Sequence, residues 1–347
     1  MPHVRTAVLL RSALAALTLF GALAGPALAQ AQGPYHVLTQ WKLGGEGGWD
    51  YLTVDAPAHR LYVAHGPRVE VVDTQSGKPV GAITGLQGTH GVALDATGKY
   101  GYISDGRANA VVVFDRSTLK AVTSIPVGTN PDGILYEPST KTVWAFNGRS
   151  NNATVIDTSS NKVVATIPLP GRPEFPAADG KGNVYDNIED KGEIVRLDAK
   201  SKKVTAEWPL GAESPSGLAI DTASHRLFAV CDGKKMVVVD AESGKVLGTP
   251  TIGEGPDAAG YDAKNKLAFS SNGDGTLTVI DAGKPGYPVL QTVTTQRGAR
   301  TMAFDPPNGR VYLATAQLGS RPAATAENPH PRPAITPDTF TILVVGR

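Results

Sequence analysis

Seven positions in this chain carry residue types that hold ions or polar ligands: Asp50, His90, Asp132, Glu174, Ser216, Asp257 and Arg300. They are separated by 40, 42, 42, 42, 41 and 43 residues. Four carboxyls, an imidazole and a guanidinium brought together could grip a charged ligand, coordinate a cation or carry protons. Turn chemistry alone would favour Gly, Asn and Ser at such loop positions, whereas this set mixes His, Glu and Arg. Groups forty residues apart meet only if the fold repeats with the same period.

The elements that must position them do repeat. Five residues after each member comes an acid ending an apolar run, at Asp55, Asp95, Glu137, Asp179, Asp221, Asp262 and Asp305. A second series ends Val/Ile-rich runs such as RVEVVD, AVVVFD and TLTVID, at Asp73, Asp115, Asp157, Asp198, Asp240 and Asp281. A period in the low forties filled with short strands predicts an all-β propeller, one four-stranded antiparallel blade per repeat. The seven acids of the first series predict seven blades. Those of the second stand where the third strand turns into the fourth, and an Asp there accepts backbone N–H groups and holds the turn. Six equivalent copies read as scaffold.

The last repeat lacks its outer strand, and HVLTQWKL, residues 36 to 43, is left over at the other end of the chain. Pairing it with the C-terminal strand would close the ring and remove exposed edges. In such a blade the loop into the first strand and the loop between the second and third emerge on one face. The ring Asp50 to Arg300 therefore falls at the channel mouth. The other loop supplies His65, Asp105, Asn147, Glu189, Asp232, Asn272 and Thr315. Five of these precede Gly and read as hairpin turns; Glu189 has the least turn reason and joins the expected ligand set Asp50, His90, Asp132, Glu174, Asp257 and Arg300. The segment from 316 to 338 is a Pro-rich insertion in blade 7, longer than connecting loops usually run. It is expected to act as a lid presenting Arg321, His330 and Arg332.

Arg5 and Arg11 precede an apolar run from Ser12 to Ala24, followed by Ala27-Leu28-Ala29, the pattern of a secretory signal peptide. Residues 1–29 are thus read as a signal and 30–347 as one domain, periplasmic or secreted, with no later membrane span. Cleavage would leave 33 − 2 = 31 basic against 32 acidic residues. Such a balance without basic clusters argues against nucleic acid, and a monomer is expected. Cys231 is alone and reads as a buried inert thiol.

The stretch TSIPVGTNPDGILYEPSTKTVWAFNGRSNNATVIDTSSNKVVATIPL, with its G-x-x-P-x-G and V-x-V-I-D-type repeats, resembles the YVTN (YncE-like) seven-bladed propeller family over the whole mature chain. It departs at Arg172-Pro-Glu-Phe-Pro in blade 4 and in the blade-7 insertion. The resemblance implies an exported propeller and no single activity. Three readings follow. The first is a binding propeller taking a small ligand or protein partner at the mouth. The second is a metal-dependent hydrolase or lactonase with a divalent cation such as Ca²⁺ on Asp132, Glu174, Asn147 and Asn272, and His90 as base. The third is an interaction module without a small-molecule site. The chain contains no G-x-S-x-G, no G-x-x-x-x-G-K-[ST] and no H-x-x-x-H, so the binding reading leads and enzymatic activity is left open.

Overall fold

The computed structural model describes residues 1–3, 33–323, 325, 331 and 333–347. Residues 4–29 of the signal segment, its cleavage site, His330 and Arg332 lie outside them. Residues 33–347 form seven four-stranded antiparallel sheets, the blades of a propeller. Blade 1 runs through Trp49–Asp55, Arg60–His65, Arg68–Asp73 and Pro79–Ile83, and the next five repeat this plan in chain order.

Blade 7 joins the two ends of the described chain. Its sheet contains Thr301–Asp305, Arg310–Thr315, Thr341–Gly346 and finally His36–Lys42. Val37 lies opposite Val345 and Lys42 opposite Thr341. The leftover N-terminal strand thus covers the C-terminal strand, whose six residues are all buried, and the ring closes as the sequence predicts.

The core lies between blades. Each of seven apolar clusters draws side chains from two adjacent sheets, as Trp144 and Val155 of blade 3 meet Val184 and Val195 of blade 4. Another joins Leu61 and Val63 of blade 1 to Tyr312 and Ile342 of blade 7. Alternation along each strand sends one face into each neighbouring interface, so the second and third strands are buried on both. The outer strands show solvent on one edge; Lys120–Pro126 is exposed at every position but Ile125.

Both aspartate series hold turns. Asp115 accepts from the N–H groups of Ser117 and Thr118 at 2.9 and 2.8 Å, and Asp240 accepts from Ser243 N–H at 2.8 Å. Glu137, fully buried, accepts from Thr140 N–H at 2.8 Å in the turn after the first strand of blade 3. Cys231 is buried, and burial pushes its thiol up to about 12.

Candidate functional site

A backbone irregularity aims the mouth residues. Trp49 pairs with His65 but Leu52 with Val63, so one extra residue sits in the first strand of blade 1. The same shift separates Thr89 from Val92, Pro131 from Ile134, Pro173 from Pro176 and Pro256 from Ala258. Bulges bend a strand and redirect its side chains. Asp50, His90, Asp132, Glu174 and Asp257 all sit within these shifted stretches.

Small residues then let neighbouring blades close up. A Cβ on Gly133 would stand 2.5 Å from the Glu174 carbonyl oxygen, and one on Gly217 2.5 Å from Ala258 Cα. Side chains of the second strands hook onto the mouth of the next blade. Ser104 Oγ accepts from Gly91 N–H at 2.7 Å and donates to the Asp132 carbonyl at 2.6 Å. Asn187 Nδ2 donates to the Ser216 carbonyl at 2.6 Å, and Ser271 Oγ to the Arg300 carbonyl. The backbone of the ring is therefore fixed by hydrogen bonds between blades, independently of its side chains.

Ring members from different blades meet. His90 Nδ1 lies 2.6 Å from Asp50 Oδ2 and 3.4 Å from Asp132 Oδ1. Arg300 Nη1 stands 3.3 Å from Asp257 Oδ1. Asp50, His90 and Asp132 each place one donor atom within 4.8 Å of the other two. Beneath them, contacts cross the channel between non-adjacent blades 1 and 4: Tyr51 hydroxyl donates to the Glu174 carbonyl at 3.0 Å, and the Tyr51 and Phe175 rings lie 5.0 Å apart. The mouth is thus a cup with an aromatic floor. A narrow pocket with room for about one water molecule is lined by Asp50, Tyr51, Glu174, Phe175, Asp257 and Met302 among others, and opens to solvent.

Crowding of carboxyls sets their protonation. Burial, reinforced by the Asp50 charge, raises Asp132 to about 7. Burial and then the Asp132 charge raise Glu174 well above the usual carboxylate range. For His90, burial acts to lower the value, but the Asp50 hydrogen bond and the Asp132 charge outweigh it and hold the imidazole up at about 9. Behind the ring, Asp186 is fully buried with no side-chain partner, and burial followed by the Asp132 charge drives it well upward against the Glu174 backbone N–H. It occupies a strand position that is Val63, Ile103 or Ala145 in blades 1 to 3.

The other candidates named from the sequence are held elsewhere by their own hydrogen bonds. Asn147 is fully buried and donates to Asn152 Oδ1 at 2.7 Å and Thr154 Oγ1 at 2.9 Å. Asn272, also fully buried, donates to Thr276 Oγ1 at 3.0 Å and accepts from Ser270 Oγ at 2.8 Å. Both Nδ2 groups hold the hairpin of their own blade, while Asn147 Oδ1 is buried without a hydrogen-bond partner. Glu189 pairs with Arg172 at 2.7 Å at the rim, near enough for its charge to add to the rise of Glu174. Asp105 accepts from Gly88 N–H at 2.8 Å and clasps one loop to the other. Ser216 Oγ donates to the Pro256 carbonyl at 3.1 Å. Arg321 is exposed.

Tyr51 and Phe175 line the pocket but are not picked out by the ring spacing. Their signal is present in the sequence all the same: the position after each ring member reads Tyr51, Gly91, Gly133, Phe175, Gly217, Ala258 and Thr301. Two aromatics among small residues mark where a channel is filled.

No protein-family model and no curated protein matches this chain. Solved structures do match in fold. A chain of Kuenenia stuttgartiensis hydrazine synthase is 17% identical with a TM-score of 0.68, over 77% of this chain and 92% of its own. The structure of U3-55K is 11% identical with a TM-score of 0.74, over 89% of this chain and 98% of that one. The WD40 repeats of RRP9 are 10% identical with a TM-score of 0.73, over 90% and 97%. At these identities the likeness is one of fold alone: the chain is a seven-bladed β-propeller, and the fold assigns no activity.

Proposed function

We propose that this chain is an exported propeller of the YVTN (YncE-like) kind that binds a small, positively charged ligand in the cup at its channel mouth. The observation that carries this is the charge balance of the cup. Asp257 is matched by Arg300 and Asp50 by His90, which leaves Asp132 and Glu174, two carboxyls, without a full cationic partner. Both are raised by burial and by neighbouring negative charge, so a cation entering the cup would relieve their repulsion and take the place of protons. The floor of Tyr51 and Phe175 adds aromatic faces suited to an ammonium or guanidinium group. Export rests on the sequence pattern at the N-terminus, and the family on the repeats quoted above.

The test is a thermal-shift panel on mature protein in chelator, comparing small amines and guanidines with matched neutral and anionic compounds. Cationic compounds should raise the melting temperature increasingly with their concentration. A variant carrying Asp132→Asn and Glu174→Gln should lose that response while melting cooperatively. Shifts by anions alone, or shifts unchanged in the double variant, would defeat the proposal.

A further inference from the structure

The positive charge that the cup takes includes a metal ion, an inference resting on the reading just given. We propose that Asp50, His90 and Asp132 form a site for one first-row divalent metal ion, with Glu174 facing it across the cavity. Their donor atoms lie within 4.8 Å of one another, with His90 Nδ1 2.6 Å from Asp50 and 3.4 Å from Asp132. Donors on a tetrahedral ion with bonds of about 2.0–2.2 Å stand roughly 3.3–3.5 Å apart. The His90–Asp132 spacing already meets this, and the His90–Asp50 spacing lengthens once the ion replaces the proton between them.

Other features of the cup agree. The carboxyl of Glu174 has no hydrogen bond or ion pair within the described residues, yet Glu174 lines the same cavity as Asp50. It lies outside the set of donor atoms within 4.8 Å of one another, so its part would be to accept a hydrogen bond from water on the ion and not to bind the ion. The ring of His90 is held by close packing: a Cβ on Gly106 would come within 2.6 Å of its Nε2, so only glycine there leaves the imidazole its place. One imidazole with two carboxylates suits Zn²⁺ or Mn²⁺ and leaves coordination positions open. Ca²⁺ takes about 6–8 oxygen ligands, more than the two carboxyls of Asp50 and Asp132 bring to this group.

Isothermal titration of Zn²⁺, and separately Mn²⁺, into chelator-stripped mature protein tests the site. The expected result is one equivalent bound, at least tenfold more weakly by Asp132→Asn and not measurably by His90→Gln, with Glu207→Gln on the outer rim unchanged. Asp132→Asn preserves shape, so the test stands even where His90→Gln does not fold. Binding that persists in both site variants overturns the assignment. If neither metal binds while amines still shift the melting temperature, this inference falls and the proposed function stands. If neither metals nor amines act, both fall.

Discussion

Asp73, Asp115, Asp157, Asp198, Asp240 and Asp281 each accept a backbone N–H two or three residues on. Asp132, a carboxyl of the same chemistry, lies between other carboxyls, and its environment moves it the opposite way. Side-chain and backbone hydrogen bonds from Ser117 and Thr118 hold Asp115 down at about 2, and those from Ser76 and from Ser159 and Ser160 lower Asp73 and Asp157. A depressed carboxylate adds stability that is present above its unfolded value, near 3.8, and is lost as pH falls through the folded one. Acid unfolding should therefore set in as pH drops from about 4 toward 2. A variant with Asp73→Asn, Asp115→Asn and Asp157→Asn keeps an acceptor oxygen in each turn and removes the titration. Its melting temperature should fall less steeply over that window, by a modest amount because these groups face solvent; an unchanged slope in circular dichroism melts would place the acid sensitivity elsewhere.

At the level of elements, the mouth is built by bulged first strands and by hooks from second strands. Ser104 is fully buried and serves both Gly91 N–H and the Asp132 carbonyl. Ser104→Ala leaves those groups unpaired in the interior and should cost about 1–3 kcal/mol in denaturant unfolding, with ligand response weakened because Asp132 loses its anchor. A cost near zero would mean that water replaces the hydroxyl. The blade-7 insertion belongs to the same scale. Its base is zipped by Gly319 N–H to the Ala334 carbonyl and Thr336 N–H to the Gln317 carbonyl, each at 2.9 Å. Gln296 Nε2 reaches the Ala316 carbonyl at 2.8 Å, tying the base to the loop that carries Arg300. As a lid, the insertion should slow ligand escape. Deleting Arg321 to Arg332, which spares this zip, should weaken binding several-fold with little loss of stability, and unchanged affinity in a titration would sink the lid.

For the molecule as a whole, closure is the decisive contact. His36–Lys42 covers the last edge, while Trp41 packs against the blade 7–blade 1 cluster and Val37 against the blade 6–blade 7 cluster. Removing residues 33–42 should strip both interfaces and expose Thr341–Gly346, an apolar edge open to pairing with other chains. The truncated protein should elute as aggregate or unfold without a sharp transition. A monodisperse, cooperatively melting product would show that the six complete blades stand without closure.

Four properties of this propeller are legible along the chain alone: the repeat, the number of blades, the strand that closes the ring and the position in each blade that faces the mouth. Strand patterning, turn residues and a fixed period act within some forty residues, and the closing strand is found by counting the strand each repeat needs, although its partner lies at the far end of the chain. Which mouth residues touch is a matter for the assembled ring. His90 reaches both Asp50 and Asp132, Glu189 turns to Arg172, Asn147 and Asn272 fold back into their hairpins, and Tyr51 crosses the channel to Glu174. Spacing along the chain gives the same register to every blade. Distances between blades depend instead on bulges, on close approach at glycines such as Gly133, and on the rotamers chosen in a crowded cup, and those are settled when all seven sheets pack.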